Sequence, residues 1–101
     1  MQVRFEWNDA NAAKHFKKHG VSFEVAARVF ADPFALMVQD RIENGEQRWQ
    51  TIGMVEGYLL LLVAHTVSED YDTEVIGIIS ARKADPKERK RYEKENRQIQ
   101  P

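Results

Sequence analysis

Residues 2–7, QVRFEW, alternate polar and apolar side chains, the period of a short half-buried strand. Asn8 follows as an N-cap, its side-chain oxygen suited to the free backbone N–H groups of a helix running from about Asp9 to Lys18. Ala12, Ala13 and Phe16 form the apolar stripe of that helix, and Gly20 supplies a left-handed stop. Ser22 caps a second helix, in which Phe23, Ala26, Ala27 and Phe30 fall at i, i+3, i+4 and i+7. This helix should end near Ala31, because Pro33 biases Asp32 away from helical geometry and cannot continue the hydrogen-bond ladder.

The period then changes to two. Four strands are predicted at Ala35–Gln39, Arg48–Met54, Tyr58–Thr66 and Glu74–Arg82, with tight connections around Gly45 and Gly57 and a longer acidic one, SEDYDT. Short links between consecutive strands imply antiparallel pairing. LLLLVA at 59–64 is apolar on both faces and should be a central strand covered by the first two helices. Asp85, Pro86 and Glu88 then spell a helix start: N-cap, first-turn proline and the glutamate of a capping box. That helix should reach about Arg97 with only Tyr92 and Ile99 as large apolar residues, which predicts an exposed helix or one stabilised by a partner. Its removal, as residues 84–101, should cost binding and activity more than fold. The order β-α-α-β-β-β-β-α makes residues 1–101 a single small α+β domain. Its sheet is expected to be four- to five-stranded and largely antiparallel, with two N-terminal helices and one C-terminal helix.

A chain of 101 residues with 43% apolar residues can form one core, and the absence of cysteine excludes disulfides and thiolate chemistry. The longest apolar run, Tyr58–Ala64, is far short of the roughly 20 residues that cross a bilayer. MQVRFEWND has no apolar core after its charge, so a soluble, unexported, cytoplasmic protein with no membrane contact is expected. The net charge of −1 conceals an asymmetry: residues 82–97 hold eight Lys/Arg against four Asp/Glu, the remainder seven against twelve. A basic segment is a solvated face or a surface for nucleic acid or an acidic partner.

No glycine-rich phosphate loop, nucleophile elbow or thiol is present, so no cofactor is expected and covalent catalysis is disfavoured. His15 and His19 share a helix face at a metal-compatible spacing, but Lys14, Lys17 and Lys18 surround them and no carboxylate completes a set, so no metal site is expected. Strict alternation points His65 with Leu59, Leu61 and Val63, and Arg82 with Ile76, Ile78 and Ser80. Pairing through SEDYDT would put Tyr58 near Arg82 and His65 near Glu74. Two clusters result: His65 with Arg48 and Glu46, and Arg82 with Lys83 and Tyr92. Either has the chemistry for cleaving an RNA phosphodiester, which needs a base for the 2′-hydroxyl, cations for the phosphorane and an acid for the leaving oxygen. Trp49 can stack a base or serve as a core aromatic.

FEWN at 5–8, KHGVSFEVAARVFADP at 18–33, EQRWQTIG at 46–53, AHT at 64–66 and IISARKADPKERKRYE at 78–93 together resemble the BrnT family of type II toxins. The resemblance covers Phe5 to Glu93. It implies a RelE-like fold and a cofactor-free ribonuclease that cuts RNA and arrests growth. It also implies a BrnA-type antitoxin that binds operator DNA, so that the toxin meets DNA only through the complex, expected as a toxin:antitoxin heterotetramer. The matching polar residues are Lys18, His19, Glu46, Arg48, His65, Arg82, Lys83, Glu88 and Tyr92. On this basis Arg48 and Arg82 are expected to stabilise the phosphate and transition state, with His19 or His65 as acid/base group. Lys18, Lys83, Arg89 and Tyr92 are expected to bind RNA. His15 stands where the family usually has Asn, and Gly77 where it has Lys or Arg. Two other readings stay open: a non-catalytic module partnering a small repressor, and a metal-dependent nuclease using His15 and His19.

Overall fold

The computed structural model describes residues 2–99, with side chains placed through residue 96. In chain order the elements are β1 (Gln2–Glu6), α1 (Asp9–His19), α2 (Phe23–Ala27) running into a 3-10 turn (Arg28–Ala31), β2 (Leu36–Glu43), β3 (Glu46–Val55), β4 (Leu59–Asp70), β5 (Thr73–Lys83) and α3 (Pro86–Ile99).

Local chemistry sets the helix ends as the sequence predicts. Asn8 Oδ1 accepts from the Asn11 backbone N–H at 2.9 Å, and Gly20 closes α1 at φ 73°. Ser22 Oγ accepts from Val25 N–H at 3.1 Å. The expected single helix to Ala31 instead tightens after Ala27 into the 3-10 turn, which lowers Val29 onto β3. Gly53 is what permits this approach, since a Cβ there would lie 2.7 Å from the Val29 Cβ.

The sheet has the order β1-β5-β4-β3-β2. β2 to β5 are antiparallel neighbours, whereas β1 joins the edge parallel to β5, so the sheet is mixed. β4 is central, as its apolar run requires. The α1/α2 face holds the larger core: Val21, Phe23, Ala26, Val29, Val55, Leu61, Val63, Ile76, Ile78 and Ala81. On the other face Ile52, Leu60, Leu62 and Tyr92 form a smaller cluster under α3. Among the described residues, no helix is long and apolar enough to cross a membrane.

Two sequence expectations change here, and both move functional candidates. SEDYDT is not a long loop: Ser68, Glu69 and Asp70 pair with Val75, Glu74 and Thr73, leaving Tyr71 and Asp72 as the turn, with Tyr71 at φ 57°. The hairpin therefore slides relative to the expected register. His65 faces Ile78 rather than Glu74, and Arg82 faces Leu62 rather than Tyr58. The second change is a bulge. Ala64 pairs with Ser80 but His65 with Ile78, so Ile79 is an extra residue on β5. Asn11 Nδ2 donates to the Ile79 carbonyl at 2.7 Å, satisfying an acceptor that the bulge removes from the ladder. The extra residue reverses the alternation, so Ser80 and Arg82 lie on the face opposite Ile76 and Ile78.

α3 is also better anchored than its composition suggests. Tyr92 is 8% exposed, and its hydroxyl donates to Asp32 Oδ2 at 2.6 Å. The same carboxylate accepts from Met54 N–H at 2.8 Å and, through Oδ1, from Phe34 N–H at 2.9 Å. One aromatic with a satisfied hydroxyl thus pins the helix to the β3 end and the turn after α2. Ile99's side chain lies outside the described residues. Tyr92 of α3 covers Ile52, Leu60 and Leu62, so part of the cost of removing residues 84–101 would fall on the fold.

Candidate functional site

The bulge at Ile79 and the alternation of β3 and β4 bring Arg48, Gln50, Ala64, Thr66, Gly77, Ser80 and Arg82 onto the α3 face. α3 covers only the end of this face that carries Ile52, Leu60 and Leu62. Beyond it, Gln50, Ala64, Thr66, Gly77 and Ser80 are half-buried and form a floor of mostly small side chains. Arg82 stands at the α3 end of this floor and Arg48 at its far side. From the register, Arg82 is level with Ile52, and Arg48 is four residues along β3 from Ile52, about 13 Å, and two strands across, roughly 10 Å, so the two backbone positions are about 16 Å apart.

Arg82 is held firmly. Its Nη1 and Nη2 donate to Glu88 Oε1 and Oε2, both at 2.8 Å, and Nη1 also donates to the Lys83 carbonyl at 3.1 Å. The hydrogen bonds and charge of Glu88 push the Arg82 guanidinium pKa up, against the effect of burial, and Arg82 in turn holds the Glu88 carboxyl below the usual carboxylate range. Both groups stay ionised at neutral pH. Glu88 is at the same time the capping-box residue that the sequence identifies: Oε1 accepts from Asp85 N–H at 2.9 Å, and Glu88 N–H donates to Asp85 Oδ1 at 2.8 Å.

Arg48 is the opposite case. Its side chain is 20% exposed, its nearest carboxylate, Glu46, is 3.9 Å away, and its buried Nε has no hydrogen-bond partner among the described residues. A buried guanidinium donor left unpaired is costly to the fold, on the order of 1–3 kcal/mol. Such a cost is characteristic of a group kept for a ligand.

The remaining sequence candidates divide. Lys83 and Arg89 are both exposed. Lys83 pairs with Leu61 and so takes the α1/α2 face, away from Arg82, which corrects its placement in one cluster with Arg82; Arg89 lies on α3. Tyr92 is buried and bonded to Asp32, so it cannot stack a base; its hydroxyl pKa is pushed well up by burial and by the neighbouring carboxylate. His65 is 0% exposed on the α1/α2 face. Its Nε2 pairs with Thr51 Oγ1 at 2.7 Å, its Nδ1 with the Thr66 carbonyl at 3.2 Å, and its ring meets Phe30 edge-on at 4.9 Å. Donation from Nδ1–H to the carbonyl leaves Nε2 to accept from the Thr51 hydroxyl, a neutral imidazole. Burial lowers its pKa accordingly. The expected cluster of His65, Arg48 and Glu46 is therefore split by the sheet. Trp49 faces His65 across the β3–β4 ladder and so shares its face, away from Arg48.

Lys18 and His19 end α1, also across the sheet from Arg48 and Arg82. His19 stacks on His15 at 6.0 Å, and His15 lies 5.8 Å from Phe23. Burial, then His19, Lys14 and Lys18, lower the His15 pKa. Among the described residues no group of three or more His, Cys, Asp or Glu side chains is placed to hold a metal.

The sequence reading missed Asp32, Thr51, Asn11 and Thr66. Asp32 carried a signal in its place before Pro33. Thr66 carried none: its Oγ1 would lie 2.6 Å from a Cβ at Gly77, so the hydroxyl occupies the space that a lysine or arginine side chain at that position would enter.

Comparison with known proteins completes the picture. A family model described as "Ribonuclease toxin, BrnT, of type II toxin-antitoxin system" matches residues 7–88. The 1.1 Å crystal structure of the ribonuclease toxin BrnT of Brucella abortus superposes with a TM-score of 0.62 at 20% sequence identity, over 84% of this chain and 99% of that one. At that identity the superposition speaks for the fold, a mixed five-stranded α+β architecture with three helices. No curated protein matches the chain. The family match spans most of the sequence, from Trp7 through the capping-box Glu88, and the chain therefore belongs to the BrnT family of ribonuclease toxins of type II toxin-antitoxin systems.

Proposed function

We propose that this chain is an endoribonuclease that binds RNA on the open sheet face and cleaves it without a metal. The observation that carries this reading is Arg48 Nε, without a partner among the described residues, on the same half-buried floor that ends at Arg82. The 2′-hydroxyl attacks the adjacent phosphorus, the bond from phosphorus to the 5′-oxygen breaks, and a 2′,3′-cyclic phosphate and a 5′-hydroxyl result. Arg48 and Arg82 bind non-bridging oxygens and stabilise the added charge of the phosphorane. Lys83 takes the opposite face, so solvent both supplies a proton to the leaving oxygen and takes the 2′ proton. With His65 buried and His19 across the sheet, catalysis rests on orientation and charge stabilisation more than on a tuned histidine.

The floor of small side chains suits an extended single strand laid flat on it, and the cations of α3, Arg89 among them, favour phosphate nearby. The partner is a BrnA-type antitoxin in the cytoplasm, in a heterotetramer that represses its own operator. Inhibition follows if the antitoxin covers the same face. Purified chain incubated with end-labelled RNA in EDTA should yield cyclic-phosphate ends, and Arg48→Ala should slow their formation about a hundredfold. Cleavage only after a divalent cation is added would overturn metal independence. The second reading, a non-catalytic module for a repressor, draws on Gly77, which stands where the family usually has Lys or Arg. Induction without the antitoxin separates the two, because only a nuclease arrests growth.

A further inference from the structure

Arg82 is the most constrained cation on the open face, and what constrains it leaves one edge unused. The end-on edge of the guanidinium, one N–H of Nη1 and one of Nη2, is taken by Glu88, and the remaining Nη1–H by the Lys83 carbonyl. The Nε–H and the second Nη2–H have no partner among the described residues, and they form the parallel side-on pair that matches two phosphate oxygens. The Arg82 side chain is 36% exposed, while Glu88 is 19% exposed and is itself tied to the Asp85 backbone.

We infer that Glu88 is a positioning residue for the ribonuclease reaction: by gripping the end-on edge of Arg82 it presents the side-on edge to a phosphate of RNA on the open face. This rests on the reading proposed above. A free arginine loses on the order of 2 kcal/mol of rotamer freedom when it is immobilised. Here that freedom is already spent in the folded protein, before RNA arrives. Because Glu88 also cancels the charge of Arg82, the gain lies in direction and not in net attraction. Glu88 should therefore act on the cleavage step and not on RNA affinity, a split that a merely structural residue would not produce.

The test is single-turnover cleavage of an RNA oligonucleotide, with affinity measured separately on the same oligonucleotide carrying 2′-deoxyribose at the cleavage site. Glu88→Gln keeps a capping-box side chain and loses the grip. It should slow cleavage at saturating RNA on the order of tenfold to a hundredfold, the scale of a misplaced catalytic group, with affinity unchanged or tighter. Arg82→Lys, which cannot be held end-on, should lose as much, and the double variant should be no slower than Arg82→Lys alone. Asp85→Ala, which weakens the cap but spares the grip, should cleave at the native rate. Native or faster cleavage by Glu88→Gln overturns the inference, as does a loss in the double variant that is the product of the two single losses. A native chain inert toward RNA overturns the ribonuclease reading and this inference with it, whereas an active native chain with an unaffected Glu88→Gln overturns this inference alone.

Discussion

The two faces of the sheet are built from the same strands and do different work. On the α1/α2 face Leu61, Val63, Ile76 and Ile78 are closed over by Phe23, Ala26 and Val29, and His65 is fully buried with both ring nitrogens paired. On the α3 face one aromatic, Tyr92, anchors a short apolar patch, and the rest is a half-buried polar floor carrying an arginine with an unpaired donor. Alternation along a strand makes this division available to any sheet. This chain puts most of its core on one side and leaves, among the described residues, an unpaired donor on the other.

The division can be broken from either side. Phe23→Ala empties a fully buried site under α2 and should lower unfolding free energy by about 3–5 kcal/mol, read by chemical denaturation. Arg48→Ala, on the other face, should slow RNA cleavage about a hundredfold, about 2.7 kcal/mol on the barrier. It should leave stability unchanged or raise it by up to about 1–3 kcal/mol, since it removes a buried donor that has no partner among the described residues. A large loss of stability with activity retained would reverse the assignment of the faces. Tyr92→Phe keeps the ring and removes the bond to Asp32, and should cost about 1.5 kcal/mol in a thermal or urea melt. Activity should fall only as far as α3 loosens.

The smallest effect concerns pH. The folded-state pKa of His65 lies below its ordinary value of 6.5, so the unfolded chain binds the proton more readily. Its contribution to stability is complete above pH 6.5 and is lost progressively as pH falls through 6.5 toward the folded value. His15 carries a shift in the same direction. Stability measured between pH 7.5 and 5 in a His15→Gln background should still fall with acid, and a flat profile there would show that the buried ring is not the sensor.

Much of this was legible in the chain. The caps at Asn8, Ser22 and Asp85, the stop at Gly20 and the apolar period of α2 are local chemistry and need no tertiary partner to be read. The centrality of β4 follows from an apolar run on both faces, and the family motifs from KHG through ERKRY lie along a single reading of the sequence. Arg48 and Arg82 were legible as cations on strands, though not as cations sharing a face.

What the sequence by itself determined is the set of elements, the starts of the helices and the family. What only the tertiary structure decided is which side each functional group takes. A turn at Tyr71 slid the β4–β5 register, and one bulged residue, Ile79, turned Arg82 to the face of Arg48 while His65 stayed with the core. The pleat has a period of two, so a single extra residue inverts every side chain beyond it, and no local propensity records where that residue falls. The ties of Glu88 to Arg82 and of Tyr92 to Asp32 are likewise choices among partners, made by packing: the first spans 6 residues of sequence and the second 60.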